Sequence, residues 1–193
     1  MNASPTEIVR VAAQLVNRGA RLDMSALAAD LGISRTTLFR RVGNREDLLG
    51  EALWLLSDRT MRGADRAWRT AHGDAVRDPG GGLRCLWIMA RYRSAIAGHE
   101  GMRLLLAEEP VTAIRVLTDP GGRVQPRVIA AYTDLLDRDV DAGGFEPAVD
   151  VKTLAYAIVR LGETFLYSDV LASRSPDLAA LGTLVGRLVD QGL

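Results

Sequence analysis

Residues Asp23 to Asp47, DMSALAADLGISRTTLFRRVGNRED, constrain this chain more tightly than any other stretch. They read as two short helices broken at Leu31-Gly32-Ile33-Ser34. Two such helices hold a near-perpendicular angle only through a tight contact. Ala28 supplies a small contact residue, Gly32 permits the turn backbone, and Leu38 plugs the angle from the second helix. From Ile33 to Arg45 there are four arginines and no acid. A small-residue helix, a glycine turn and a basic, hydroxyl-bearing second helix form the pattern of a helix-turn-helix DNA reader. The other reading, a helical hairpin with solvated arginines, leaves the clustering of Ser34, Thr36, Thr37, Arg40 and Arg41 without a reason.

The net charge of zero does not exclude a nucleic-acid partner, because the charges are unevenly distributed. Residues 1–73 hold 11 basic and 8 acidic side chains, and the remainder 13 and 16. A DNA-binding protein needs a local basic surface, not a basic whole. At 193 residues, 48% hydrophobic and 25% charged, the chain suits one sizeable core or a small module joined to a larger one. With 5% aromatic residues, the core must rely on Leu, Val, Ile and Ala.

Several function classes lose support. Cys85 is the single cysteine, which excludes an intrachain disulfide and a Cys-rich zinc site and suits a reducing cytoplasm. It lies in an apolar helical run and is expected to be buried. The two histidines, His72 and His99, lack metal-ligand spacing. No nucleophile motif or phosphate-binding glycine loop is present, and Asp78-Pro79-Gly80 and Asp119-Pro120-Gly121 read as turns. Neither an enzyme nor a cofactor or metal is therefore expected. No stretch approaches a membrane span, and MNASPTEIVR lacks the form of a signal peptide, so the expected location is the cytoplasm.

Almost everything else reads as helix, and the expected class is all-α. Ser4-Pro5-Thr6-Glu7 is a capping box opening a first helix that ends near Gly19. Asp23, Ser34 and Asn44 are caps for the next three, the last running to about His72. Further helices are expected at about 83–98, 101–109, 111–117, 125–142, 151–172 and 176–191, separated by Gly and Pro punctuation. Glu108-Glu109, at a helix end before Pro110, is expected to be solvated; the alternative is a buried carboxylate in contact with a ligand.

On the DNA-reading interpretation the helix Ser34–Val42 enters the major groove. Arg35, Thr36, Thr37 and Arg40 reach base edges, where arginine paired to guanine is the commonest specific contact. Ser34, Arg41 and Arg45 grip phosphates, and Phe39 lies against sugar-phosphate or a thymine methyl. Which arginine reads and which anchors stays open.

The order of a capped first helix, LAADLGISRTTLFRRV, then NREDLL opening a long helix, resembles the TetR family of bacterial transcriptional regulators over roughly residues 5 to 55. Ser34, Thr37, Leu38, Arg45 and Glu46 agree with the family pattern. Phe39 stands where Tyr is usual, Arg41 where His is, and Val42 where Phe is. The segments EEPVTAIRVLTDPGGRVQPRVIAAY and VDVKTLAYAIVRLGETFLYSDVLA are similar to the regulatory domain of the QsdR-type subgroup, which is linked to quorum-signal degradation.

The expected organisation is a helix-turn-helix domain over 1–46 and a ligand-sensing and dimerisation domain over 47–193. One reading helix makes too few contacts for high specificity, so a homodimer on a palindromic operator is expected. Residues 151–172 are apolar almost all round (Leu154, Ala155, Ile158, Val159, Leu161, Gly162, Phe165, Leu166, Val170), unlike an amphipathic surface helix. With 176–191 they form the expected dimer surface; the alternative is a monomer's central helix. Arg160, Glu163 and Tyr167 share a stripe, either as an internal ion pair or as polar anchors of a ligand pocket. That pocket would be lined by Trp87, Met89, Tyr92, Met102, Leu106, Ile114, Leu117, Tyr132 and Phe165, which equally suit a plain core. The resemblance implies a repressor released by a small, largely apolar effector, and its subgroup implies a lactone or acyl-homoserine lactone. An effector-independent DNA-binding protein and a helical enzyme or carrier are the rival readings.

Overall fold

The computed structural model of the chain describes residues 3–168, 171, 172 and 174–190. Among them ten α-helices follow in order: α1 Pro5–Asn17, α2 Met24–Asp30, α3 Arg35–Val42, α4 Arg45–His72, α5 Arg84–Ala97, α6 Glu100–Glu108, α7 Pro110–Thr118, α8 Gln125–Asp141, α9 Val151–Glu163 and α10 Leu178–Val189. A π-helical turn, Thr164–Ser168, follows α9 directly. The described residues contain no strand, only an isolated bridge between Arg77 and Leu83, so the class is all-α as expected. No described helix is long and apolar enough to cross a membrane.

The expected caps are made because each side chain sits one residue ahead of its helix. The Ser4 hydroxyl accepts from the Glu7 N–H at 3.2 Å, and the Ser34 hydroxyl from the Thr37 N–H at 3.1 Å. Asn44 Oδ1 accepts from Glu46 and Asp47 at 2.8 and 2.9 Å, while Asp47 Oδ2 accepts from the Asn44 N–H at 3.1 Å. Asp23 accepts from Ser25 and Ala26, and these N–H donors hold its carboxyl below the usual carboxylate range.

The chain forms two compact units. One comprises the chain up to Asp58 with His99–Pro126; the other comprises Arg59–Gly98 and the chain from Arg127 onward. This division by contacts falls elsewhere than the expected 46/47 boundary, since α6 packs on α1 and α7 on α6. Ile8, Ala12 and Val16 of α1, Leu27 and Ala28 of α2, Leu38 of α3 and Leu48 and Leu49 of α4 are all buried in the first unit. The start of α6 approaches the end of α1 at Gly101, where a Cβ would run into the Val16 carbonyl oxygen. His99 secures that junction: Nδ1 accepts from the Met102 N–H at 3.1 Å, and Nε2 bonds Asn17 Oδ1 at 2.8 Å. Since Nδ1 accepts, Nε2 carries the proton and donates.

In the second unit Trp68 is fully buried and donates from Nε1 to the Ala75 carbonyl at 2.8 Å. Arg84 Nε and the Cys85 N–H both donate to the buried Asp139 carboxylate at 2.7 Å. Cys85 is buried as expected, and desolvation followed by the Asp139 charge pushes its thiol pKa upward. Arg77 ties the far end of the chain in, donating to the Gly81 and Gly144 carbonyls and to Asp190.

The helix expected over 151–172 is α-helical only to Glu163 before the π-helical turn, and Val170 lies outside the described residues. The last helix begins at Leu178, capped by Asp177, rather than at Pro176; its expected end at Gln191 lies outside the described residues.

Candidate nucleic-acid interface and sensing site

The turn between α2 and α3 depends on Gly32, whose φ of 64° lies in the left-handed region that side chains disfavour. Leu38 is fully buried, so α3 can present only its opposite face. That face carries Arg35, Thr36, Phe39 and Arg40, all exposed and spaced one helical turn apart. Phe39 is 45% exposed, unusual for an aromatic ring in a chain with so few. Ser34 and Thr37 bond each other through their hydroxyls at 2.9 Å at the helix start, where backbone N–H groups point outward.

The remaining two arginines are tied into the unit. An Arg41 Nη1–H donates to the Ala3 carbonyl. Arg45 donates from Nε to the Leu22 carbonyl at 2.7 Å and from Nη2 to Glu109 at 2.6 Å. Arg21 lies 3.7 Å from the same carboxylate. Glu109 is therefore not solvated, as its place before Pro110 suggested, but is held by cations from α4 and from the α1–α2 connection. Sequence spacing could not reveal this, since 64 residues separate Arg45 from Glu109. On α4 the first turn is further paired: Arg115 with Glu46, and Arg123 with Asp47 and Glu51 at 3.7 Å.

The expected pocket residues fall into both compact units. Met102, Leu106, Ile114 and Leu117 belong to the first, where Leu106 and Leu117 are buried and Met102 and Ile114 half-buried. Trp87, Met89, Tyr92, Tyr132, Arg160, Glu163, Phe165 and Tyr167 belong to the second. There Trp87 meets Trp68 edge-on at 5.6 Å, with Arg91 over its ring at 4.8 Å. Met89 is fully buried, and Tyr92 meets Tyr132 edge-on at 6.1 Å. Phe165 and Tyr167 are half-buried on the π-helical turn. Arg160 is exposed and bonds Glu163 at 2.7 Å, the internal ion pair that an i, i+3 spacing allows.

One residue of this second unit was not anticipated. Arg93 is buried, at 4% exposure, and its Nη1 has no hydrogen-bond partner in the structure. The Tyr132 hydroxyl lies beside it as a hydrogen-bonding neighbour. Burial pushes the Tyr132 hydroxyl up to about 12 even though the Arg93 charge opposes the shift. Tyr167 is likewise held protonated, by burial and then by the Glu163 charge. A signal for Arg93 existed, since it follows Cys85 and Met89 at four-residue steps on the buried face of α5.

Residues 80–190 match the family described as tetracyclin repressor-like, C-terminal domain. A solved structure, the R. erythropolis transcriptional repressor QsdR from the TetR family, is similar at a TM-score of 0.81 and 27% identity, covering 96% of this chain and 93% of that one. No curated protein matches the chain.

Proposed function

This chain belongs to the TetR family of transcriptional regulators, and from that membership we propose that it is a repressor which binds a palindromic operator as a homodimer and is released by a small, largely apolar effector. Proteins of this family are DNA-binding regulators rather than enzymes. The observation that carries the reading is the outward face of α3, where Arg35, Thr36, Phe39 and Arg40 stand free of the core while Leu38 is locked into it. Arg35 and Arg40 read base edges in the major groove; Thr36 and Thr37 support them, and Phe39 packs on sugar or a thymine methyl. Arg41 and Arg45 brace the reading head against Ala3, Leu22 and Glu109, and contact phosphates at the edge of the reading surface. Ser34 combines a cap with a phosphate contact at the amino terminus of α3.

Residues 1–46 carry the reading helices, braced by α6 and α7 of the same compact unit, and the sensing and pairing part lies within residues 47–193. The helix α4 runs from one to the other without interruption. Pairing uses the exposed stripes of α9 (Lys152, Thr153, Tyr156, Arg160) and α10 (Thr183, Leu184, Arg187, Leu188). An effector acts by its differential affinity for the two spacings of the reading heads, a coupling of about 1–3 kcal/mol in typical cases. A lactone or acyl-homoserine lactone is the first candidate, on the likeness to QsdR-type regulators.

Selection from random duplexes, followed by anisotropy titration over a range of salt, tests the reading. The selected site should be a palindrome with half-sites about 34–36 Å apart or a multiple of that. Arg35→Ala and Arg40→Ala should each weaken the selected site by about 1–3 kcal/mol and relax preference at one position. Unchanged binding of the double variant refutes the assignment of α3. A complex that no small molecule releases favours the effector-independent alternative.

A further inference from the structure

We propose that Arg93 anchors the acidic head of an aliphatic monocarboxylate in the interior of the second compact unit, so that the surroundings of this arginine favour a carboxylate as the effector class over the lactone that likeness alone suggests. The inference rests on reading that unit as the sensing part. Arg93 is 4% exposed and one arm of its guanidinium, Nη1, bonds nothing. A buried charged donor left unsatisfied is costly and persists where something completes it. The planar fork of a guanidinium matches the two oxygens of a carboxylate, and the pair of charges makes the bond stronger than one to a neutral carbonyl.

The surroundings suit an anion with an apolar body. Helix α9 passes the Arg93 stem at Gly162, where a Cβ would stand at ordinary contact distance, 4.0 Å, from the arginine Cδ. The neighbouring acid, Glu163, is paired with Arg160 at 2.7 Å, and its charge also favours the protonated Tyr167 hydroxyl. The hydroxyls of Tyr132 and Tyr167 stay protonated and can donate to a second carboxylate oxygen. Tyr167 reaches the cluster from a π-helical turn, a departure from α geometry that recurs at functional sites. The inward faces of α5 and α9 are otherwise apolar, with Ile88, Met89, Ile158 and Val159 buried, and a hydrocarbon body is compatible in character with such faces.

The test uses the full chain with sodium decanoate, methyl decanoate and the lactone of the same carbon number, read by calorimetric titration, thermal shift and operator release. Decanoate should bind, raise Tm and release the operator, with the ester and lactone weaker by about tenfold or more. Arg93→Met should lose at least about tenfold in decanoate affinity while its own Tm without ligand equals or exceeds that of the parent, since an apolar isostere removes a buried charge. A merely structural arginine would lower Tm when removed. Should Arg93→Met not fold, Arg93→Lys keeps the charge without the fork and must bind decanoate more weakly. Equal binding of ester and acid, no response to decanoate, or unchanged decanoate affinity in the substituted protein overturns the proposal. Operator release by the lactone alone, indifferent to Arg93→Met, overturns it too but leaves the effector reading standing. Failure of all three compounds to release the operator overturns it and counts against effector control as well.

Discussion

Asp139 shows how much a single side chain holds in the second unit. Its two oxygens accept from Arg84 Nε and from the Cys85 N–H, all within the interior. Such a pair gains little over a well-packed apolar replacement, yet breaking it leaves a lone buried charge. Asp139→Ala is expected to lower stability by about 3–5 kcal/mol, measured by urea unfolding; a loss under 1 kcal/mol would contradict the geometry. Tyr132 gives a second test with a definite sign. Its hydroxyl titrates normally near 10 in the unfolded chain and is pushed up to about 12 in the fold, by burial. The folded state therefore holds the proton longer, so this stabilisation is complete below about pH 10 and is lost as pH rises from about 10 toward about 12. Tyr132→Phe should flatten that alkaline decline in thermal scans. An identical slope in both proteins would remove Tyr132 as its source.

At the scale of elements, the reading head is more than three helices. The close approach of α6 to α1 at Gly101, the His99 cap and the Glu109 pairs join α6 and α7 to it. Gly101→Ala places a methyl group against the Val16 carbonyl, and a backbone atom cannot swing aside as a side chain can. An overpacking cost of about 1–3 kcal/mol is expected, with α6 displaced from α1. Thermal unfolding and operator affinity should both fall; an unchanged Tm would mean that the two helices do not meet there. None of this was legible from periodicity. The helices α6 and α7 were visible as elements, and their Gly and Pro punctuation placed their ends within a residue or two. Their partner was not, because the bonds that hold α6 to α1 join residues 82 apart.

For the molecule as a whole, zero net charge conceals a basic reading end, and the proposed pairing would set how strongly that end acts. Leu184 and Leu188 are 46% and 40% exposed on α10, a large apolar presence for a surface that remains wet. Leu184→Glu with Leu188→Glu should yield monomers in sedimentation. Two reading heads joined in one dimer benefit from effective concentration, so operator affinity of the monomeric form should drop by about 100-fold or more. Dimers that survive the double substitution would place the pairing surface elsewhere. The apolar character of 151–172 suggested such a surface, but the periodicity alone did not say which stripe faces outward. In the structure Leu154, Ile158 and Val159 turn inward and Tyr156 outward.

The sequence by itself determined the all-α class, the caps at Ser4, Asp23, Ser34 and Asn44, the glycine turn at Gly32 and the basic face of α3. These are local matters, settled by contacts within about four residues, and their signals lie side by side in the chain. Tertiary structure alone decided which arginines are free to reach outward. Arg35 and Arg40 are exposed, whereas Arg41 and Arg45 are drawn to carbonyls 38 and 23 residues away. It likewise decided that Glu109 is a clasp, and that Arg93 is buried with one arm unsatisfied. Burial and ion pairing depend on which distant segments come together, and residue type does not encode that. An arginine in a sequence is a charge; only packing makes it a reader, a brace or an anchor.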